Sequence, residues 1–421
     1  MRSWTWYKNL DYLTIFLWLA LVVIGLVAIY STTQGPAAAY LLDTEQQSFQ
    51  RQLAWAVICV VGIAVALLLP VRFFQASAYL IYAGTILLLL AALVFGDEIN
   101  GARSWIRFGP VGLQSAELAK VGTLLAVAHL LSSKRPGTDN VRFAVATVAL
   151  ILIPAVLIIL QNDTGTALVF LALIPIMLYW SGLPITAILL VIAPGLAGYL
   201  AIWSTWAGWG FAALFTLGIF LTTRQRMLTS LAGVFTGGTV VAFSLILTKI
   251  LQPYQLARIL SFTNPEAEEY RTGVGFNLVQ SKAAIGSGGL FGKGFMEGTQ
   301  TQGRYVPAQS TDFVFSVIGE EFGFIGSLLL LTLFACLLLR LIGLGMDMKH
   351  PFGALLAWGT VGVLLIHIFV NVGMATGLLP VIGIPLPFIS YGGSALLANS
   401  AMVAIALSLH MRRDDFSIYG Y

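Results

Sequence analysis

Long apolar runs recur from one end of the chain to the other, and no other feature restricts its fold so tightly. A bilayer core of about 30 Å takes roughly 20 apolar residues of helix. Runs of that order lie at 12–30, 53–70, 73–95, 116–132, 143–160, 164–181, 184–203, 208–223, 229–250, 312–340, 354–378 and 394–410. They predict an all-α polytopic membrane protein of about 12 transmembrane helices, with no room between them for a sizeable soluble domain. The mean hydropathy of +0.90 agrees, as does a content of 58% hydrophobic against 10% charged residues. The first run is followed by "PAAAY", as at a signal-peptide cleavage site, but it exceeds the usual apolar region of roughly 7–15 residues and further spans follow it.

With the N-terminus placed inside, the short inner segments collect twelve basic residues, among them Arg72, Arg142, Arg224, Arg226, Arg340 and Arg412, while the short outer loops hold three, Arg51, Arg103 and Arg107. That bias predicts cytoplasmic termini at both ends. Cys59 and Cys336 both fall inside apolar runs, which argues against a disulfide framework. The four histidines, His129, His350, His367 and His410, are scattered singly and suggest no metal cluster. No nucleic-acid partner is expected.

Two long polar intervals fall on the outer side, 96–120 leading into the fourth span and 251–311. Function is expected there. In "QSAELAK", Glu117 and Lys120 stand three apart on one helix face about a turn into the membrane. Ionisable groups cost about 2.5–3.5 kcal/mol each at the bilayer centre and within a membrane are usually paired or functional, so the two read equally as a buried ion pair or as substrate-lining groups. Trp105, Arg103 and Arg107 suit either an interfacial anchor or a grip on an anionic lipid headgroup. Asp163 in "QNDTGTA" reads first as a helix N-cap. So does Asp312, preceded by Ser310 and Thr311 at the start of an apolar run; composition alone does not lift it above a cap.

The stretch "IGSGGLFGKGFMEGTQTQGR", 285–304, has glycines and Lys293 as a phosphate loop would. Its spacing fails the nucleotide motif: three residues separate Gly288 from Gly292, and Gly294 follows Lys293 where Ser or Thr is required. A pyrophosphate-contacting loop and a merely flexible turn both remain open.

Five ordered motifs, "GARSWIRFGPVGLQSAELAK", "QNDTGTA", "GVGFNLVQSKAAIGSGGLFGKG", "STDFVFSVIGEEFG" and "NVGMATGLLPVIGIPLPFISYGGSALL", resemble the SEDS proteins of cell-wall growth, and "GIPLPFISYGGS" resembles the RodA branch. The resemblance covers almost the whole chain. It implies a peptidoglycan glycosyltransferase that polymerises lipid II on the outer face of the cytoplasmic membrane during cell elongation. The implied partner is a class B penicillin-binding protein, a monofunctional transpeptidase, within the cell-elongation complex. The family's invariant acid corresponds to Asp312, its polar pair to Glu117 and Lys120, and its outer-loop tryptophan to Trp105.

Where the family usually has "QPSE", "QPD" and "PE", this chain has "QSAE" at 114–117, "QND" at 161–163 and Pro307-Ala308. The family usually has ten spans, and the hairpin 184–223 is the candidate insertion.

Lipid II carries its sugars at the membrane surface and its pyrophosphate just beneath, so a reacting carboxylate belongs at a helix's outer end. Transfer with inversion needs a base for the acceptor's 4-hydroxyl and positive charge for the pyrophosphate. Asp312 is the expected base, with Lys120, Arg258, Lys282, Lys293 and Arg304 as available cations and Glu320 and Glu321 as supports for helices and loop. No cofactor is firmly implied, although a divalent cation, Mg or Mn, would suit the pyrophosphate. A lipid II flippase is the competing reading, and a recruiting scaffold a third. The clustering of polar motifs on the outer side, with inner half-spans nearly uncharged, favours the enzyme.

Overall fold

The computed structural model describes residues 9–36, 38, 41–99, 101–108, 111–133, 140–180, 182–245 and 275–413. The chain divides into two compact units, residues 1–177 with 280–421, and residues 178–279.

In the first unit, α1 (Tyr12–Gln34) is capped by Asp11, whose carboxylate accepts from the Thr14 amide at 3.0 Å. A short α2 (Asp43–Gln46) leads to α3 (Ser48–Leu68) and α4 (Val71–Phe95). The interval expected as a loop then forms a three-stranded antiparallel sheet, β1 (Asp97–Ile99), β2 (Ala102–Phe108) and β3 (Val111–Gln114). Trp105 pairs with Gln114 and Phe108 with Val111. The sheet is a small strand element, unexpected in the polar interval, within a chain that is otherwise the expected all-α membrane protein. After it come α5 (Ser115–Ser132), α6 (Asn140–Leu160) and α7 (Thr164–Trp180).

The second unit holds α8 (Ile185–Trp203), α9 (Thr205–Thr223) and α10 (Arg226–Leu245), which pack on one another around Ala197, Ala201 and Val240. The expected hairpin 184–223 is thus two thirds of a three-helix unit rather than a pair standing by itself.

The chain returns through α11 (Phe276–Ser287) and α12 (Thr299–Gln302). The single span expected at 312–340 is two helices, α13 (Val314–Glu321) and α14 (Gly323–Asp347). The break falls at Gly323, whose φ of +68° lies in the left-handed region that a side chain disfavours. Last come α15 (Pro351–Thr376) and α16 (Gly393–Met411).

Among the described residues ten helices are long and apolar enough to cross a membrane. Helix α5, with Glu117 and Lys120 in its first turns, and α7, with 17 residues, lie outside that set, so every expected span has a helix although twelve full crossings do not follow from length and composition. Most of the ten are lipid-facing in character. In their most apolar windows α15 and α16 are 78% and 89% buried, against 44% or less for the others of the ten, and together with α5, buried over most of its length, they carry the interior of their unit.

Candidate functional site

Asp312 sits in the turn before α13. Ala308, at φ +49°, turns the chain so that its carbonyl receives the amides of Thr311, Asp312 and Phe313 at 3.1, 3.1 and 3.2 Å. The N-cap of α13 is Phe313, with no side-chain capping bond. The carboxyl of Asp312 therefore does not cap the helix, contrary to the simplest reading of Ser310-Thr311-Asp312.

What holds the turn is the "GIPLPFISYG" segment, residues 383–392, between α15 and α16. The Tyr391 amide donates to the Ser310 carbonyl at 2.8 Å, and the Ser390 hydroxyl donates to the Thr311 carbonyl. Asn371, on α15, donates to the Asp312 carbonyl at 2.9 Å and to the Ile384 carbonyl at 2.7 Å. Gln52 of α3 braces the same segment, donating to Ser390 and accepting from the Gly392 amide.

Gly383, at φ +80°, lies against the acid: a Cβ there would stand 3.3 Å from Asp312 Oδ2. Burial pushes the Asp312 carboxyl up to about 6, with a hydrogen bond from Thr311 acting in the opposite direction. Among the described residues no salt bridge includes Asp312. A cavity of about 600 Å³ reaches Thr311 and is walled by Thr32, Glu45, Ser48, Arg304, Gln309 and Tyr391, among others. Arg304 meets Glu45 there at 3.1 Å, both partly exposed.

The other expected site residues do not all gather here. Glu117 and Lys120 form an ion pair of 2.7 Å with both side chains 1% exposed, and the Lys120 ammonium also meets His367 Nε2 at 2.8 Å. Such burial removes them from the walls of the cavity. Lys293 pairs with Glu320 at 2.8 Å. Glu320 is fully buried; burial pushes its carboxyl up, but the Gln300 amide at 2.9 Å, Lys293 and the Thr301 amide at 2.8 Å outweigh that and hold it below its ordinary range.

Glu321 accepts from the Ser31 hydroxyl and from Gln302 at 3.1 Å, and its burial pushes it up. The glycine-rich stretch packs against the break between α13 and α14: the Lys293 and Gly294 amides donate to the Glu320 and Glu321 carbonyls at 3.0 and 3.1 Å. Those two amides are spent on the helix break and are not offered to a phosphate.

Asp163 caps α7 through the Thr166 amide at 3.0 Å and accepts from Gln114 at 2.8 Å. Arg103 and Arg107 make exposed pairs with Glu98 and Asp97 at 3.3 and 3.0 Å, and Trp105 is half-buried over Gly112. Lys282 is exposed on α11. Arg258 lies outside the described residues.

Asn371, Ser390, Gln52 and His367 escaped sequence reasoning. The available signal was "IHIFVNV", which places two polar residues, His367 and Asn371, four apart within an apolar helix.

A bundle of membrane-length apolar helices that holds a carboxylate without a salt bridge in a polar turn beside a cavity is the frame of a membrane-embedded enzyme. The chain belongs to the FtsW/RodA/SpoVE family, described as cell cycle proteins, whose model matches residues 11–212 and 210–415.

It is 33% identical to the peptidoglycan glycosyltransferase RodA of Treponema pallidum, over 96% of this chain and 98% of that one. With the peptidoglycan glycosyltransferase MrdB of Escherichia coli K12 it shares 31% identity, over 97% and 95% of the two chains. Among solved structures, a chain from a peptidoglycan synthase complex that coordinates polymerization and crosslinking matches with a TM-score of 0.69 at 29% identity, covering 96% of this chain and 98% of that one. The rod shape determining protein RodA of Thermus thermophilus matches with a TM-score of 0.62 at 28% identity, over 96% and 97%.

Proposed function

We propose that the protein polymerises lipid II into glycan strands at the outer face of the bacterial cytoplasmic membrane during cell elongation, with Asp312 as general base. The chain is a peptidoglycan glycosyltransferase of the RodA type, as its relatives' names indicate. The observation that carries the assignment of the base is the state of Asp312: its backbone is clamped, its side chain is not used as a cap, and its carboxyl is pushed up to about 6.

A base whose pKa lies just below the working pH is mostly ionised and still basic enough to take a hydroxyl proton. Asp312 receives the proton of the acceptor's 4-hydroxyl as that oxygen attacks the donor's anomeric carbon, and the lipid pyrophosphate leaves. Arg304, at the cavity in a partly exposed pair with Glu45 that solvent weakens, and exposed Lys282 are the cations suited to the departing charge. Lys293 is committed to Glu320, and Lys120 to Glu117. A divalent cation, Mg or Mn, would suit the charge of the substrate's pyrophosphate; among the described residues no three acids, histidines or cysteines converge.

Both termini face the cytoplasm by the charge bias of the loops. The partner is a class B penicillin-binding protein, supported by the likeness to a chain from a complex that couples polymerization to crosslinking. Purified protein is given lipid II with and without that partner. Glycan polymer from the wild type, and none from Asp312→Asn, is the expected result; no polymer from the wild type in either condition refutes the enzyme reading.

A further inference from the structure

Four fully buried polar side chains of the first unit form a continuous line that ends at the site. Glu117 meets Lys120 at 2.7 Å, Lys120 meets His367 Nε2 at 2.8 Å, and His367 Nδ1 meets the Pro385 carbonyl at 3.2 Å. One turn along α15, Asn371 bridges the Ile384 and Asp312 carbonyls. Glu117, Lys120, His367 and Asn371 are each 1% exposed or less.

Chemistry fixes the direction of every contact. An ammonium only donates and a carbonyl only accepts, so His367 must accept at Nε2 and donate from Nδ1–H, which a single neutral tautomer does. Asn371 likewise spends both amide hydrogens on two backbone carbonyls. The two side chains therefore grip consecutive residues, Ile384 and Pro385, immediately after Gly383, whose Cα faces the Asp312 carboxylate.

We propose that His367 and Asn371 are positioning residues for Asp312, and that Glu117 and Lys120 act on the reaction through them rather than by touching substrate. The pair at the bottom of the line fixes the ring of His367. The ring fixes Pro385, and Asn371 ties that segment to the acid's own backbone. Misplacement of a reacting group by about 1 Å costs on the order of 10²-fold in rate. Nothing in the line reaches the cavity walls, so substrate affinity is not its business.

This inference rests on Asp312 as the reacting carboxylate, and the test keeps the two apart. The full chain is purified in lipid nanodiscs, and kcat and KM for lipid II are measured per folded molecule for His367→Phe, His367→Gln, Asn371→Ser and Asp312→Asn. His367→Phe keeps the bulk and loses both contacts; kcat should fall by about 10²-fold with KM within about threefold. Gln offers one acceptor and one donor, so His367→Gln should recover most of the rate. Asn371→Ser should lower kcat in the same manner, and decides the matter by the same split if His367→Phe does not accumulate.

Wild-type rates in His367→Phe, equal losses in the Phe and Gln variants, or a raised KM with kcat preserved would overturn the proposal. Failure of both His367→Phe and Asn371→Ser to accumulate would assign the residues to folding and overturn it too. An inactive Asp312→Asn beside a fully active His367→Phe sinks the positioning role alone, whereas an active Asp312→Asn sinks both readings.

Discussion

The acid side of the pH–rate profile is the most direct test of how Asp312 is held. With its carboxyl pushed up to about 6, about nine tenths of the molecules carry the ionised base at pH 7 and about one tenth at pH 5. An ordinary carboxylate near 3.9 would remain about nine tenths ionised at pH 5. Polymerisation of saturating lipid II should therefore fall about tenfold from pH 7 to pH 5, with a midpoint about 6.

The groups packed around the acid support its assignment as the titrating one: the 383–392 segment contributes only Tyr391 as an ionisable group, the 303–311 stretch contributes Arg304 and Tyr305, and α15 contributes His367. Stability moves in the opposite direction. A carboxyl with a raised folded pKa binds its proton more tightly folded than unfolded, so its contribution is present in acid and is lost as pH rises from about 4 to about 6. The loss of activity at pH 5 is thus not an unfolding of this site. Asp312→Asn, neutral throughout, should melt no lower than the wild type at pH 7 while making almost no glycan. The assay is gel-resolved polymer from labelled lipid II across pH 4.5–8, with thermal melts of the same samples. A rate that is flat from pH 7 to pH 5, or an Asp312→Asn variant with near-native polymer, refutes the reasoning.

Three further outcomes are expected. Glu320→Ala leaves the half-buried Gln300 and buried Thr301 amides without their acceptor and the Lys293 ammonium with Thr299 alone, and should cost about 3 kcal/mol of stability, read as a lowered melting midpoint. Gly383→Ala places a Cβ against Asp312 Oδ2 at a φ of +80°, and should lower kcat by about tenfold or more with the fold retained; unchanged kcat would show that the segment does not press on the acid. Single cysteines at Thr205 and Gln225, in a chain whose Cys59 and Cys336 are replaced, should label from outside and inside respectively, and labelling of both from one side would reject the α8–α9 hairpin as a double crossing.

The membrane helices were legible because lipid demands continuous apolar runs, and each expected run has a helix. The sheet at 97–114 was not, although Arg103, Trp105 and Arg107 alternate with Ala102, Ser104 and Ile106 as a strand requires. Three strands of 3, 7 and 4 residues were too brief to stand out against the surrounding apolar runs. The break at Gly323 was hidden for another reason: "EEFGFIGS" reads as uninterrupted helix, and only a positive φ reveals what the glycine is for.

Asp312 was found by resemblance, while its local sequence argued for a cap. The turn centred on Ala308 moved the start of the helix to Val314 and overruled the Ser-Thr-Asp signal. His367 was passed over because its partners, Lys120 and Pro385, are remote or adjacent only through a loop, and a lone histidine in an apolar helix carries no local mark of either.

The break between α13 and α14 has a dynamic consequence. The Lys293 and Gly294 amides reach across to Glu320 and Glu321, and the Phe324 and Ile325 amides reach back to Gly289 and Leu290 at 2.9 and 3.1 Å. Four bonds exchanged in both directions make a ladder, and a ladder opens as a whole or not at all. Deuterium should therefore enter these four amides with one shared rate, set by the free energy of separating the glycine-rich stretch from the helix break, and that rate reports how often the two come apart.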